Sequence, residues 1–229
     1  MSLSIVFKDI NDFEHSTEYY NYLDNLLSVS NNKLNILIEE CIDGYTYNCA
    51  KLLYFLYKDK YVCGKLKTKL WFCFNGLKWQ QTELGPYKEL STNILYLFER
   101  YKYLKEKENN DSNNDNDNET NCFEKINNLI LKLKNVNYKE NVCKECLYLF
   151  YSEDFISQLD KKYNLICFNN GVLDIKNKTF RNGFKDDYIS LSIDKEYNQN
   201  NIENINSTIE KFVAFRQKIL NKRKPIYLF

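Results

Sequence analysis

At 229 residues, 44% of them hydrophobic and 16% aromatic, the chain can fill a real core, which excludes a disordered protein. Its 32 Lys and Arg against 31 Asp and Glu leave a formal net charge of +1, which excludes a global electrostatic pull towards nucleic acid or membrane. Any such affinity has to come from a local patch.

The first fifteen residues, MSLSIVFKDINDFEH, lack the basic start and continuous apolar core of a signal peptide, and no apolar run approaches the roughly 20 residues of a membrane span. Eight cysteines (41, 49, 63, 73, 122, 143, 146, 167) sit mostly in apolar runs, where a thiol behaves as a small buried hydrophobe. A soluble protein of a reducing, intracellular compartment is expected.

Apolar residues three and four apart predict helices over 17–27 and 33–42, and the nearly continuous apolar run of 46–58 predicts a core helix. Over 60–81 the period changes: YVCGK, LKTKLWFCF and LKWQQT read as strands, with Asn75 and Gly76 as a two-residue hairpin turn. Trp71 and Trp79 flank that turn and are expected to pack on a sheet face. After Gly85-Pro86, a long amphipathic helix is predicted from Tyr87 to about Lys107, with Pro86 near its first turn. Residues 105–121 contain no apolar side chain and are expected to form a disordered insertion, with its core at 109–121. Helices follow over 122–133 and 141–151, with a short turn at 153–159.

The densest signal is LICFNNGVLDIKNKTFRNGFKDDY, 165–188. An apolar run stops at Asn169-Asn170-Gly171, resumes through Asp174, turns at Asn177-Lys178 and runs to Phe180-Arg181. A further strand is expected over 188–192 and a last helix over 202–220. The expected class is α+β, mainly helical with small antiparallel hairpins. The expected organisation is a helical lobe with a hairpin (1–108), the insertion (109–121), a β-containing remainder (122–200) and a helix with a basic tail (201–229).

Candidate chemistry is sparse. A phosphate-binding P-loop needs two glycines five positions apart followed by Lys-Ser/Thr; the closest approach, Gly64-Lys65-Leu66, lacks the upstream glycine and the hydroxyl and reads as a strand or turn lysine. Cys143 and Cys146 share a helical face, but zinc needs two more ligands, and Cys122 and Cys167 have no motif spacing, so core packing is expected. His15, the single histidine, reads as a solvated or capping residue. Asp111, Asp115 and Asp117 fall in the polar insertion, and Asp186-Asp187 reads as a turn. No catalytic residue, cofactor site or metal site is assigned. Basic clusters remain, Arg100, Lys102, Lys105 and Lys107 on the long helix and Arg216, Lys218, Lys222, Arg223 and Lys224 on the last helix and tail; beside tyrosines such clusters can track a phosphate backbone.

Three segments resemble the accessory domain that precedes the superfamily 3 ATPase in primase-helicases of large DNA viruses and phages. They are Tyr61 to Trp79, ending in WFCFNGLKW with Trp71, Asn75, Gly76 and Trp79; Leu165 to Phe180, with Asn170, Gly171, Val172, Asp174, Phe180 and the following Arg181; and Asp187-Tyr188-Ile189-Ser190. Together they cover about 130 residues. The primase expected upstream and the Walker motifs and arginine finger expected downstream are not in the sequence. The resemblance implies a non-catalytic, helicase-associated domain of DNA replication at a viral site in the host cytoplasm or in the virion. It would help ring assembly or guide DNA. Its implied partners are single-stranded or forked DNA, a replicative ATPase domain or subunit, and a second copy of the chain, with no membrane. If DNA is contacted, the tail basics are the expected residues. Two alternatives stand beside this reading: an interaction protein that kept the fold without a replication role, and a fragment of an ATP-dependent helicase whose ATPase lies beyond this chain.

Overall fold

The computed structural model describes Lys8 and residues 16–28, 32–112, 117–198 and 202–223. It is an α+β fold, mainly helical, with two three-stranded antiparallel sheets. In chain order come α1 (Ser16–Ser28), α2 (Asn32–Ile42), α3 (Thr46–Tyr57), β1 (Tyr61–Lys65), β2 (Leu70–Phe74), β3 (Trp79–Thr82), α4 (Tyr87–Ser91) and α5 (Asn93–Ser112). Then follow α6 (Asp117–Lys134), α7 (Val136–Leu149), α8 (Phe155–Gln158), β4 (Leu165–Phe168), β5 (Gly171–Asp174), β6 (Thr179–Arg181) and α9 (Ile202–Arg223).

The largest core lies among α1 to α7. Its fully buried members include Leu34 and Ile38 of α2, Leu52 and Leu53 of α3, Phe98 of α5, Leu129 of α6 and Val142 of α7. Helix α3 reads as apolar almost all round because it is enclosed by α2 on one side and α7 on the other. Asn135 caps α7, its side chain accepting from the Tyr138 amide at 3.3 Å.

The single helix expected from Tyr87 is broken at Thr92, whose backbone (φ −119°, ψ −94°) is not helical and whose hydroxyl donates to the Lys88 carbonyl at 3.0 Å. The break accompanies a buried polar network. The Glu89 carboxylate, 2% exposed, accepts from the Tyr61 hydroxyl (2.7 Å), the Lys60 ammonium (3.1 Å) and the Asn93 amide (2.6 Å), and Asn93 accepts from Tyr19 (3.0 Å). Such a group persists in a core only when it is hydrogen-bonded. At the polar segment, α5 extends through 109–112 and α6 begins at 117, so its described residues are helical where disorder was expected; 113–116 lie outside the described residues.

Sheet β1-β2-β3 has register Cys63↔Trp71 and Phe74↔Trp79. Between Phe74 and Trp79 the loop holds four residues, closed by the Asn75 amide donating to the Lys78 carbonyl at 3.1 Å. The two-residue turn expected there is therefore corrected. Gly64 lies at an irregularity of β1, where a Cβ would stand 2.8 Å from Ile156 Cγ1, so Gly64 is packed, and Lys65 is an exposed strand residue. Sheet β4-β5-β6 pairs Phe168 with Gly171 across the two-residue link Asn169-Asn170. The strand expected over 188–192 is reduced to one parallel bridge between Ser192 and Cys167, and a short 3-10 helix, Lys185–Asp187, precedes it. Among the described residues no helix is long and apolar enough to cross a membrane.

Candidate functional site

The residues singled out at 165–188 hold the hairpins of the second sheet together, and the segment that follows β6 meets the first sheet. Asn170 exchanges two hydrogen bonds with the backbone of Tyr197, its Nδ2 donating to the carbonyl (3.1 Å) and its Oδ1 accepting from the amide (2.9 Å). Gly171 lets Phe180 come down on the hairpin: a Cβ there would lie 2.5 Å from Phe180 Cζ and 2.9 Å from the Arg181 carbonyl. Phe180 in turn stacks on Tyr197, with centroids 4.8 Å apart.

Asp174 builds the β5–β6 turn. Its carboxylate accepts from the Asn164 side chain (3.0 Å), the Lys176 and Asn177 amides (3.0 and 3.3 Å) and the Asn177 side chain (2.8 Å). These donors, Asn164 foremost, hold its pKa below the ordinary carboxylate value. Arg181 meets Asp187 with two bonds, and Asp187 Oδ2 also accepts from the Phe184 amide at 2.9 Å. That hydrogen bond to Asp187 raises the Arg181 pKa further. Tyr188 caps the 3-10 helix in the left-handed region (φ 52°) and packs its ring on Phe155.

Trp79 joins the first sheet to α8 and to the segment that follows β6. Its indole donates to the Lys185 carbonyl (2.8 Å), its amide to the Ile189 carbonyl (2.7 Å), and its ring lies 5.0 Å from Phe155. Trp71 faces the other side of the same sheet, in the large core against Phe150 and beneath Gly85, so the two tryptophans do not share a face. The strand period explains this: Trp79 pairs with Phe74, and Trp71 lies an odd number of residues from Phe74. Asn75 shapes the loop as a side-chain acceptor for the Leu77 and Lys78 amides, and Gly76 sits at φ 89°.

Sequence reasoning missed Asp160. Its buried carboxylate accepts from the Ser190 and Leu191 amides (2.7 and 3.0 Å) and from the Ser190 hydroxyl, while its own amide donates to the Tyr188 carbonyl (2.7 Å). The partners are 30 residues away, so no local pattern announces them. The left-handed backbone at Asp160 (φ 61°) follows from the tight join after α8.

Of the basic set, Arg216 is corrected by the structure. It is 3% exposed and donates to the Leu165 and Tyr163 carbonyls (both 2.9 Å), with its guanidinium over the Tyr163 ring, and burial lowers its pKa. It anchors α9 and is not available to a phosphate. Lys218 is exposed; Lys222 and Arg223 lie on the last turn of α9, and Lys224 lies outside the described residues. In the other basic cluster, Arg100 pairs with Asp24, and Lys102 and Lys105 pair with Glu106 and Glu108.

Nothing in the described residues groups three or more His, Cys, Asp or Glu side chains where a metal could be held. Cys146 is fully buried, and burial pushes the neighbouring Cys143 thiol up to about 12. His15 lies outside the described residues. A groove of about 530 Å³ runs along β6 and α9, lined by Leu173, Ile175, Lys178, Phe180, Tyr197 and Ile209 among others.

The family model described as "D5 N terminal like" matches residues 50–218, from within α3 to within α9. The chain is 29% identical over 190 residues to "Putative helicase L207/L206" of Acanthamoeba polyphaga mimivirus, covering 82% of this chain and 20% of that protein. It is 29% identical over 201 residues to "Putative helicase 121R" of Invertebrate iridescent virus 3, covering 76% of this chain and 21% of that one. A third relative is "Putative helicase 022R" of Frog virus 3, at 25% over 180 residues. The chain thus spans about a fifth of the length of each of these relatives.

Proposed function

Because the chain belongs to the D5 N terminal like family, we propose that it is a helicase-associated scaffold, a domain that sits beside a replicative ATPase, supports its assembly and guides DNA to it. The observation that supports this most is the extent of the family match. It takes in both sheets, the Trp79 bridge and the Arg181–Asp187 pair. The side chains of that apparatus are spent on one another, which suits a rigid support better than a reaction centre. Chemistry would then reside in a motor segment with its own phosphate-binding loop.

The test is DNA-stimulated ATP hydrolysis by a Walker-motif polypeptide from the same source, with and without the 229-residue chain. Addition of the chain is expected to raise the rate. A rate that does not change over a full titration speaks against the scaffold role.

A further inference from the structure

Helix α9 presents two faces of opposite chemistry. At about 100° per residue, Ile209, Phe212, Val213 and Arg216 fall in one arc, and they are the residues that meet the second sheet or anchor to it. Lys211, Phe215 and Lys218 fall within about 60° of one another on the opposite side, and all three are exposed, Phe215 at 52%. Between 211 and 224 the sequence holds six basic residues and no acidic one.

An exposed phenylalanine framed by lysines at helical spacing has no use in the core, which α9 already serves with its other face. We propose that the Lys211–Phe215–Lys218 stripe is a contact for single-stranded nucleic acid. Phe215 offers a ring for a base to stack on, and the two ammonium groups take the flanking phosphates. A duplex keeps its bases stacked on one another and would leave the ring unused. A membrane surface or a peptide groove would ask for an apolar helix face, and that face is occupied by Ile166, Phe168 and Ile193. Arg216 fastens the helix by its two carbonyl contacts, so the stripe is held outward at a fixed angle. The inference rests on the helicase-associated reading and names the surface that would touch DNA.

The test uses fluorescence anisotropy of a labelled oligothymidine with the full chain at low salt. Phe215→Ala is expected to weaken binding about tenfold, in keeping with the loss of one stacked base. The double variant Lys211→Gln/Lys218→Gln is expected to reduce the slope of log affinity against log salt by about 1.4, the value for two phosphate contacts on a single strand. Phe215→Trp should keep the affinity and show quenched emission on binding, against a steady background from Trp71 and Trp79, which are 4% and 3% exposed. Lys144→Gln, an exposed lysine on α7, is the control and should bind as the parent does. Unchanged affinity in both stripe variants would overturn the stripe and leave the scaffold reading standing. No binding by the parent chain, or binding only to phosphatidylserine vesicles, would overturn the nucleic-acid contact itself, whereas failure of the scaffold role is read separately in the ATPase assay.

Discussion

Arg181 and Asp187 face each other across the second sheet's last turn in a two-pronged pair, Nη1 to Oδ2 at 2.7 Å and Nη2 to Oδ1 at 2.9 Å. The carboxylate is 7% exposed and the guanidinium 27%, so solvent screens the pair only in part. Removing the arginine leaves a nearly buried carboxylate with the Phe184 amide as its remaining donor in this turn. Arg181→Ala is expected to cost about 2 kcal/mol in denaturant unfolding. Arg181→Lys should recover only part of that, because an ammonium cannot supply both prongs. Equal stability of all three proteins would show that the pair is ornamental.

Asp174 gives a pH signature. Its folded-state pKa is depressed by its four donors, so its contribution to stability is present above the unfolded value of about 3.9 and is lost as pH falls through the folded value. Asp174→Asn should therefore be less stable than the parent at neutral pH, with the difference shrinking below about pH 4. Thermal melts at stepped pH read this; a gap that widens on acidification would contradict it.

Gly183 carries a steric requirement of its own. A Cβ there would stand 2.2 Å from the Leu77 carbonyl oxygen and 2.7 Å from Leu77 Cα, both backbone atoms that cannot step aside. Gly183→Ala is expected to destabilise by about 1–3 kcal/mol. In hydrogen exchange the extra opening should concentrate in 75–79 and 183–189; parent-like protection there would refute the contact.

The clamp on α9 can be probed in the same way. Arg216→Met keeps the apolar stem and deletes the donors to Tyr163 and Leu165. Protection of α9 should fall while α3 and α7, in the other core, stay as they were. Uniform loss over the whole chain would mean that the two cores unfold as one unit.

Local rules carried the sequence reading far. The α1 to α3 boundaries fall within one residue of the periodicity, and the Asn169-Asn170-Gly171 reversal is a hairpin as its residues require. What escaped was non-local. The Thr92 break depends on Glu89 and Asn93 finding Tyr61 and Tyr19, and Asp160 depends on Ser190 and Leu191. Arg216 looked like its basic neighbours because composition carries no face. Its place 100° or more from the outward arc becomes meaningful only once Phe212 and Ile209 are seen to meet the sheet.

The most direct test of the scaffold role is light scattering on size-exclusion chromatography of the chain mixed with a Walker-motif ATPase polypeptide from the same source. A co-eluting complex of fixed stoichiometry is expected, one that Arg181→Ala weakens in step with its loss of stability. Two species that elute apart at every ratio, with the parent chain fully folded, would contradict it.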